Sequence, residues 1–125
     1  MRQNVAKIEI NGNEIVARAG AKLSKIAVKA LNESLTGFEF AHGIPGNLGG
    51  AVTMNAGAYG GEMKDVMGSC SHVDSRGEIG SYSGEKLQLS YRKSVYSGLD
   101  YVITSAKFEL SQGEPQKIWE RMKEY

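Results

Sequence analysis

Between Gly43 and Gly61 the chain reads GIPGNLGGAVTMNAGAYGG, seven glycines in nineteen residues. A stretch with so few side chains cannot build a core of its own. Its backbone must turn at positive φ or let something approach the main chain closely. The whole chain carries 16 glycines in 125 residues, well above the roughly 7% of average usage, and no other stretch is so biased. The segment therefore marks the functional surface. Pro45 stiffens its approach, and Gly46, Gly49 and Gly50 are expected to leave main-chain amides uncovered, an arrangement that attracts anions ahead of a helix. The spacing is not the G-x-G-x-x-G dinucleotide fingerprint, and the Gly-Lys-Ser/Thr of a P-loop is absent. Two readings stay open on spacing alone: a tight turn that packs a short helix on a sheet, or a ligand-binding loop.

The flanking sequence says what kind of body carries this loop. Ile8 and Ile10, then Ile15 and Ala17, alternate with polar residues around Asn11-Gly12, so residues 6–18 are expected to form a hairpin. Leu23, Ile26, Ala27, Ala30 and Leu31 make one helical stripe, with the helix ending near Gly37. Residues 66–74 and 78–82 read as strands around the turn Asp74-Ser75-Arg76-Gly77, and Ser83 as the cap of a short helical turn over 85–87. The longest strand is expected at 101–110, with Val102, Thr104, Ala106, Phe108 and Leu110 on one face. A last helix opens at Glu114-Pro115, where Ile118, Trp119 and Met122 begin an apolar stripe. Strands paired through hairpins, with helices between them, predict an α+β fold: an antiparallel sheet with flanking helices, in one domain of 125 residues. The last helix stops without a C-cap, which suggests a chain cut from a longer protein.

Fifteen basic and fourteen acidic residues leave a formal charge of +1 without runs of like sign, so neither nucleic acid nor an anionic membrane is an expected partner. Cys70 is the single cysteine, and no apolar run approaches the roughly 18 residues of a membrane helix. A soluble, reducing, cytoplasmic setting is expected.

The run GIPGNLGGAVTMNAGAYGGE, preceded by TGFEF at 36–40 and followed some thirty residues later by YRKS at 91–94, resembles the signature of the UDP-N-acetylenolpyruvoylglucosamine reductase family. The resemblance covers most of the chain. It implies the second subdomain of the FAD-linked, vanillyl-alcohol-oxidase-like fold, with FAD as cofactor and NADPH as reductant. By position, Gly43, Ile44, Pro45, Gly46, Gly49, Gly50, Asn55, Ala56, Gly57 and Gly60 become the flavin-facing residues. The family's reaction reduces a UDP-sugar enolpyruvyl ether in peptidoglycan precursor synthesis, hydride passing from NADPH to FAD and on to the substrate's Cβ. Negative charge left on the substrate needs a cation. An arginine, cationic at any working pH and able to grip a carboxylate bidentately, suits that task.

Read alone, Tyr91-Arg92-Lys93-Ser94 is a polar turn before a strand. The resemblance makes Arg92 the catalytic residue beside the flavin and Tyr91 its neighbour at the substrate, with Lys93 and Ser94 holding the turn. It also implies that a preceding G-x-G-S-N loop for the FAD pyrophosphate, and a following segment with a proton-donating serine and a glutamate, lie outside this chain. Loss of a general acid costs roughly 100 to 10,000-fold in rate, so the chain alone is expected to be inactive. The alternatives are a non-catalytic binding or structural domain that kept the fold without cofactor, or another FAD-linked oxidoreductase. A sheet face left uncovered is expected to allow self-association. Cys70 and His72 share a strand face but are too few for a metal site, and none is expected. His42 is expected to order the loop that follows it, and Met54, Met63 and Met67 to fill core.

Overall fold

The computed structural model describes residues 6–58 and 61–124. Strands β1 (Ile8–Asn11) and β2 (Glu14–Arg18) form the first hairpin, turning at Gly12 with φ +66°. Helix α1 (Leu23–Asn32) follows, then β3 (Leu35–Thr36) and a 3₁₀ turn, Glu39–Gly43. Helix α2 (Leu48–Thr53) and the two-residue strands β4 (Gly57–Ala58) and β5 (Gly61–Glu62) come from the glycine-rich run. Next are β6 (Met67–Val73), β7 (Ile79–Ser83), β8 (Val102–Glu109), β9 (Ser111–Gln112) and α3 (Pro115–Glu124).

The main sheet has the order β1-β2-β8-β6-β7 and every pair is antiparallel. The α+β expectation holds, and α1, α2, α3 and the 3₁₀ turn Glu39–Gly43 contribute buried side chains to one core. Ile15, Ala17, Ala106 and Phe108 point from the sheet into a core completed by Leu23 and Ile26 of α1, Leu48 and Val52 of α2, and Ile118 and Met122 of α3. Phe38 sits edge-on to Phe108 at 5.0 Å between centroids, a favourable aromatic geometry that seats the TGFEF run on the sheet. The other face of the sheet carries Arg18, Lys107, Ser69, Ser71, Ser81, Ser83 and Ser105, which register places side by side.

Four local expectations need correction. Pairing of β8 with β6 skips Thr104, since Ser71 faces Ser105 while His72 faces Ile103. This bulge reverses the alternation, so Ile103 is buried and Val102 is 65% exposed, contrary to the single face expected for Val102, Thr104 and Ala106. Helix α1 ends before Gly37, because Ser34 itself adopts φ +58°. Ser83 precedes a 3₁₀ turn, Gly84–Leu87, without a side-chain cap bond. Trp119 is 43% exposed and stands off the buried stripe of Ile118 and Met122.

Candidate functional site

The glycine-rich segment is stitched to the helical layer before it reaches the surface. Gly46 turns the chain at φ +113°, which disfavours any side chain, and its carbonyl accepts the Leu23 N–H at 3.2 Å. The amides of Leu48 and Gly49 donate to the carbonyls of Ala21 and Ala19 at 2.9 and 3.0 Å. The first donors of α2, normally without partners, are thus used by the β2–α1 connection, and the Gly49 amide is not uncovered as spacing had suggested. A Cβ at Gly49 would stand 3.3 Å from that of Ala19, and one at Gly57 would stand 2.7 Å from the Gly61 carbonyl oxygen. At Gly46 and Gly50 a Cβ would meet nothing within 4 Å. Both sequence readings therefore apply, to different glycines: Gly49 and Gly57 serve packing, whereas Gly46 and Gly50 leave backbone open to an approaching molecule.

Two clefts flank the segment. One, of about 330 Å³, is lined by Lys22, Ser24, His42, Gly43, Pro45 and Gly46. The other, of about 510 Å³, is lined by Met54, Asn55, Ala56, Gly57, Tyr91 and Arg92, with Gly61 and Glu62 behind. Ile44 borders both. Of the residues singled out from sequence, Gly43, Ile44, Pro45 and Gly46 lie together at the first cleft, and Ile44, Asn55, Ala56, Gly57, Tyr91 and Arg92 at the second. Gly49 and Gly50 lie on α2 and border neither, and Gly60 falls outside the described residues. Sequence reasoning missed Lys22 and Glu62, and placed Met54 in the core, whereas it is 52% exposed in the second cleft. Only the end of α2, one residue earlier, could have signalled this.

Tyr91 and Arg92 occupy the tip of a turn in which Ser90 and Lys93 exchange both backbone hydrogen bonds, at 3.1 and 3.0 Å. Arg92 has φ +53°, a left-handed conformation unusual for a non-glycine residue and a mark of a constrained site. Its guanidinium lies 5.4 Å from the Tyr91 ring centroid, a cation–π distance, and Tyr91 is 80% exposed. The exit of the turn is anchored. Ser94 Oγ donates to the Thr53 carbonyl at the end of α2 at 2.8 Å and accepts the Tyr96 N–H at 3.1 Å. Tyr96 Oη lies 2.8 Å from His72 Nδ1, whose ring is stacked between Tyr82 and Tyr101 at 4.8 and 4.9 Å. His72 thus supports the turn from the sheet. Cys70 is buried beside it, and burial pushes its thiol up to about 11, partly countered by a hydrogen bond from Tyr96.

A pair of clefts sharing a backbone wall, with a cation at each, suits an elongated anionic ligand that has one planar end. FAD meets that description. Ile44, Met54 and Ala56 give the second cleft apolar lining, the first is lined by the open backbone of Gly46 and by the cationic Lys22, and this is the mixture of apolar wall and few polar groups that such ligands need. The fold and site define a flavin-nucleotide-binding α+β domain. Comparison with known proteins agrees: the model of the FAD binding domain family matches residues 1–82, and the chain belongs to that family.

The chain is also similar to proteins named UDP-N-acetylenolpyruvoylglucosamine reductase. That of Alkaliphilus oremlandii is 46% identical over 94% of this chain, and that of Clostridium novyi 48% identical over 93%. The crystal structure of the reductase from Thermus caldophilus matches with a TM-score of 0.79 at 33% identity, over 87% of this chain. The chain spans only 39%, 38% and 40% of the length of these three proteins, respectively.

Proposed function

We propose that this chain is the flavin-lining part of a UDP-N-acetylenolpyruvoylglucosamine reductase, one subdomain over residues 1–125 of an enzyme that reduces UDP-N-acetylglucosamine enolpyruvate with NADPH. Its place is then the cytoplasm and peptidoglycan precursor synthesis, on which cell shape and division depend. The observation that carries the reading is the docking of the Tyr91–Arg92 turn onto the end of the glycine-rich helix, so that a fixed cation shares a cleft with the flavin-facing residues Ile44, Ala56 and Gly57.

Within this reading the geometry supports the following roles. Gly43 to Gly46 border the nucleotide end of FAD, and the backbone of Asn55 with Ala56 and Gly57 the ring end, with Gly49, Gly50 and Gly60 completing the segment. Bound FAD supplies a two-electron carrier between NADPH and the substrate. Arg92 grips the substrate's carboxylate and opposes the negative charge that develops as the enolpyruvyl group is reduced. Tyr91 presents its exposed ring to the substrate and stacks on the guanidinium. Ser94 is spent on Thr53 and Tyr96 and moves no proton. The chain spans 38–40% of the length of the reductases it matches, and alone it is expected to turn over no substrate. Polar cover on the open sheet face argues against strong self-association there, although Ile79 and Val102 leave an apolar corner at 85% and 65% exposure.

The test is a difference spectrum of the FAD-loaded chain on addition of the enolpyruvyl UDP-sugar. The wild-type chain should give a saturable perturbation, weakened about tenfold or more in Arg92→Ala, as loss of a charge-assisted bond implies. An unchanged response in Arg92→Ala would remove the arginine from the substrate site.

A further inference from the structure

Asn55 was expected to face the flavin, but its side chain is turned inward and 4% of the residue is exposed. Its backbone stands at φ +47° immediately beyond α2. The Ala56 N–H reaches back to the Ala51 carbonyl at 2.8 Å and the Asn55 N–H to that of Val52 at 3.1 Å. Those two bonds define a Schellman ending with Asn55 at the left-handed position, where asparagine is the usual substitute for glycine. Glycine would satisfy the backbone equally well. What it would lack is the carboxamide.

That carboxamide is fully engaged. Nδ2 donates to the Ser90 carbonyl at 2.9 Å and to Glu62 Oε1, and Oδ1 accepts the Lys64 N–H at 2.8 Å. Three separate pieces of chain meet on it: the end of α2, the β5 strand with the turn after it, and the first residue of the Tyr91–Arg92 turn. The Ser90 carbonyl also accepts the Lys93 N–H that closes the turn, so Asn55 holds the atom on which the turn is built. Ser94 pins the other end of the same turn to the Thr53 carbonyl, two residues before Asn55.

We propose that Asn55 is a positioning residue whose carboxamide locks the Tyr91–Arg92 turn to the flavin-facing helix, so that the substrate-side cation and the flavin-side backbone keep one fixed spacing. Its effect on chemistry rests on the function proposed above, but the lock itself does not, and it can be tested without cofactor.

The experiment compares amide hydrogen exchange in the wild-type chain, Asn55→Gly and Asn55→Asp. Glycine keeps the left-handed backbone and removes the clamp. Aspartate keeps the acceptor for Lys64 and replaces both donated bonds by a carboxylate facing Glu62. Asn55→Gly should speed exchange of the Lys93 and Lys64 amides about tenfold or more, while amides of the central strand β8 stay within about twofold of wild type. In Asn55→Asp the Lys64 amide should remain protected while Lys93 is released. This split between two amides is one that general destabilisation cannot produce, since that would raise exchange in β8 as well. Lys93 protection unchanged in both variants would overturn the proposal. FAD titration of the same proteins separates the outcomes: a wild-type chain that binds no flavin counts against the proposed function and leaves the exchange result to decide the lock.

Discussion

Arg92 combines an exposed cation with a backbone conformation that costs a non-glycine L-residue roughly 1–2 kcal/mol. The surrounding hydrogen bonds hold it there, which is the pattern of local strain kept at a functional position. Replacing the side chain should separate the two contributions. Arg92→Gly is expected to be more stable than Arg92→Ala by roughly 0.5–1 kcal/mol, because glycine relieves the strain but gains freedom in the unfolded chain. Urea denaturation of both variants checks this, and equal midpoints would mean that the turn is not strained. Cys70 offers a second test at this scale. A buried thiol whose ionisation is pushed up to about 11 has almost no thiolate at pH 8. It should therefore react with a disulfide reagent only after unfolding; fast labelling of the native chain would contradict its place behind the turn.

At the scale of elements, α3 is tied down not only by Ile118 and Met122 in the core but also by a buried carboxylate. Burial raises the pKa of Glu39, but hydrogen bonds from Thr36 and from backbone amides including that of Gly37, together with the Arg121 guanidinium, outweigh it and leave the value lowered. Arg121 reaches Glu39 at 3.1 Å from α3 while itself half exposed. A lowered value means that this stability is present above the unfolded carboxyl's value, near 4.5, and is lost as pH falls through the folded one. Glu39→Gln should flatten the acid limb of a stability-versus-pH curve; a limb as steep as wild type would place acid sensitivity elsewhere. Arg121→Ala should cost only about 1 kcal/mol, since solvent screens the exposed partner.

Much of this framework was legible because it is local. Asn11-Gly12 and Asp74 to Gly77 set two hairpins, and the stripe from Leu23 to Ala30 set α1. The bulge at Thr104 was not legible, because alternation carries no mark of one residue skipped against a neighbouring strand. Nor was the assembly of the site. The bonds that seat Tyr91 and Arg92 join Ser90 to Asn55 and Ser94 to Thr53, 35 and 41 residues apart, and no local pattern encodes them.

At the scale of the whole molecule, the sheet serves as a base with helices on one face, and the glycine-rich segment runs along the boundary between two clefts. Its glycines divide between those that the fold needs and those that leave the surface bare. No helix among the described residues is long and apolar enough to cross a membrane. The central claim is that the clefts along this segment are a flavin site. Met54→Glu tests it most directly, because that side chain lines the second cleft and is 52% exposed, so the change puts a charge where the flavin ring would lie without emptying the core, whereas a substitution at Gly49 would press on Ala19 and disturb the fold as well. Titration of the purified chain with FAD, followed by flavin fluorescence, should give saturable binding in the wild type. Binding should fall at least about tenfold in Met54→Glu with its thermal midpoint preserved, as expected when contact and not stability is lost. Equal binding by the two would contradict the account, and absence of binding in both would leave the chain a scaffold that keeps the fold without holding the cofactor.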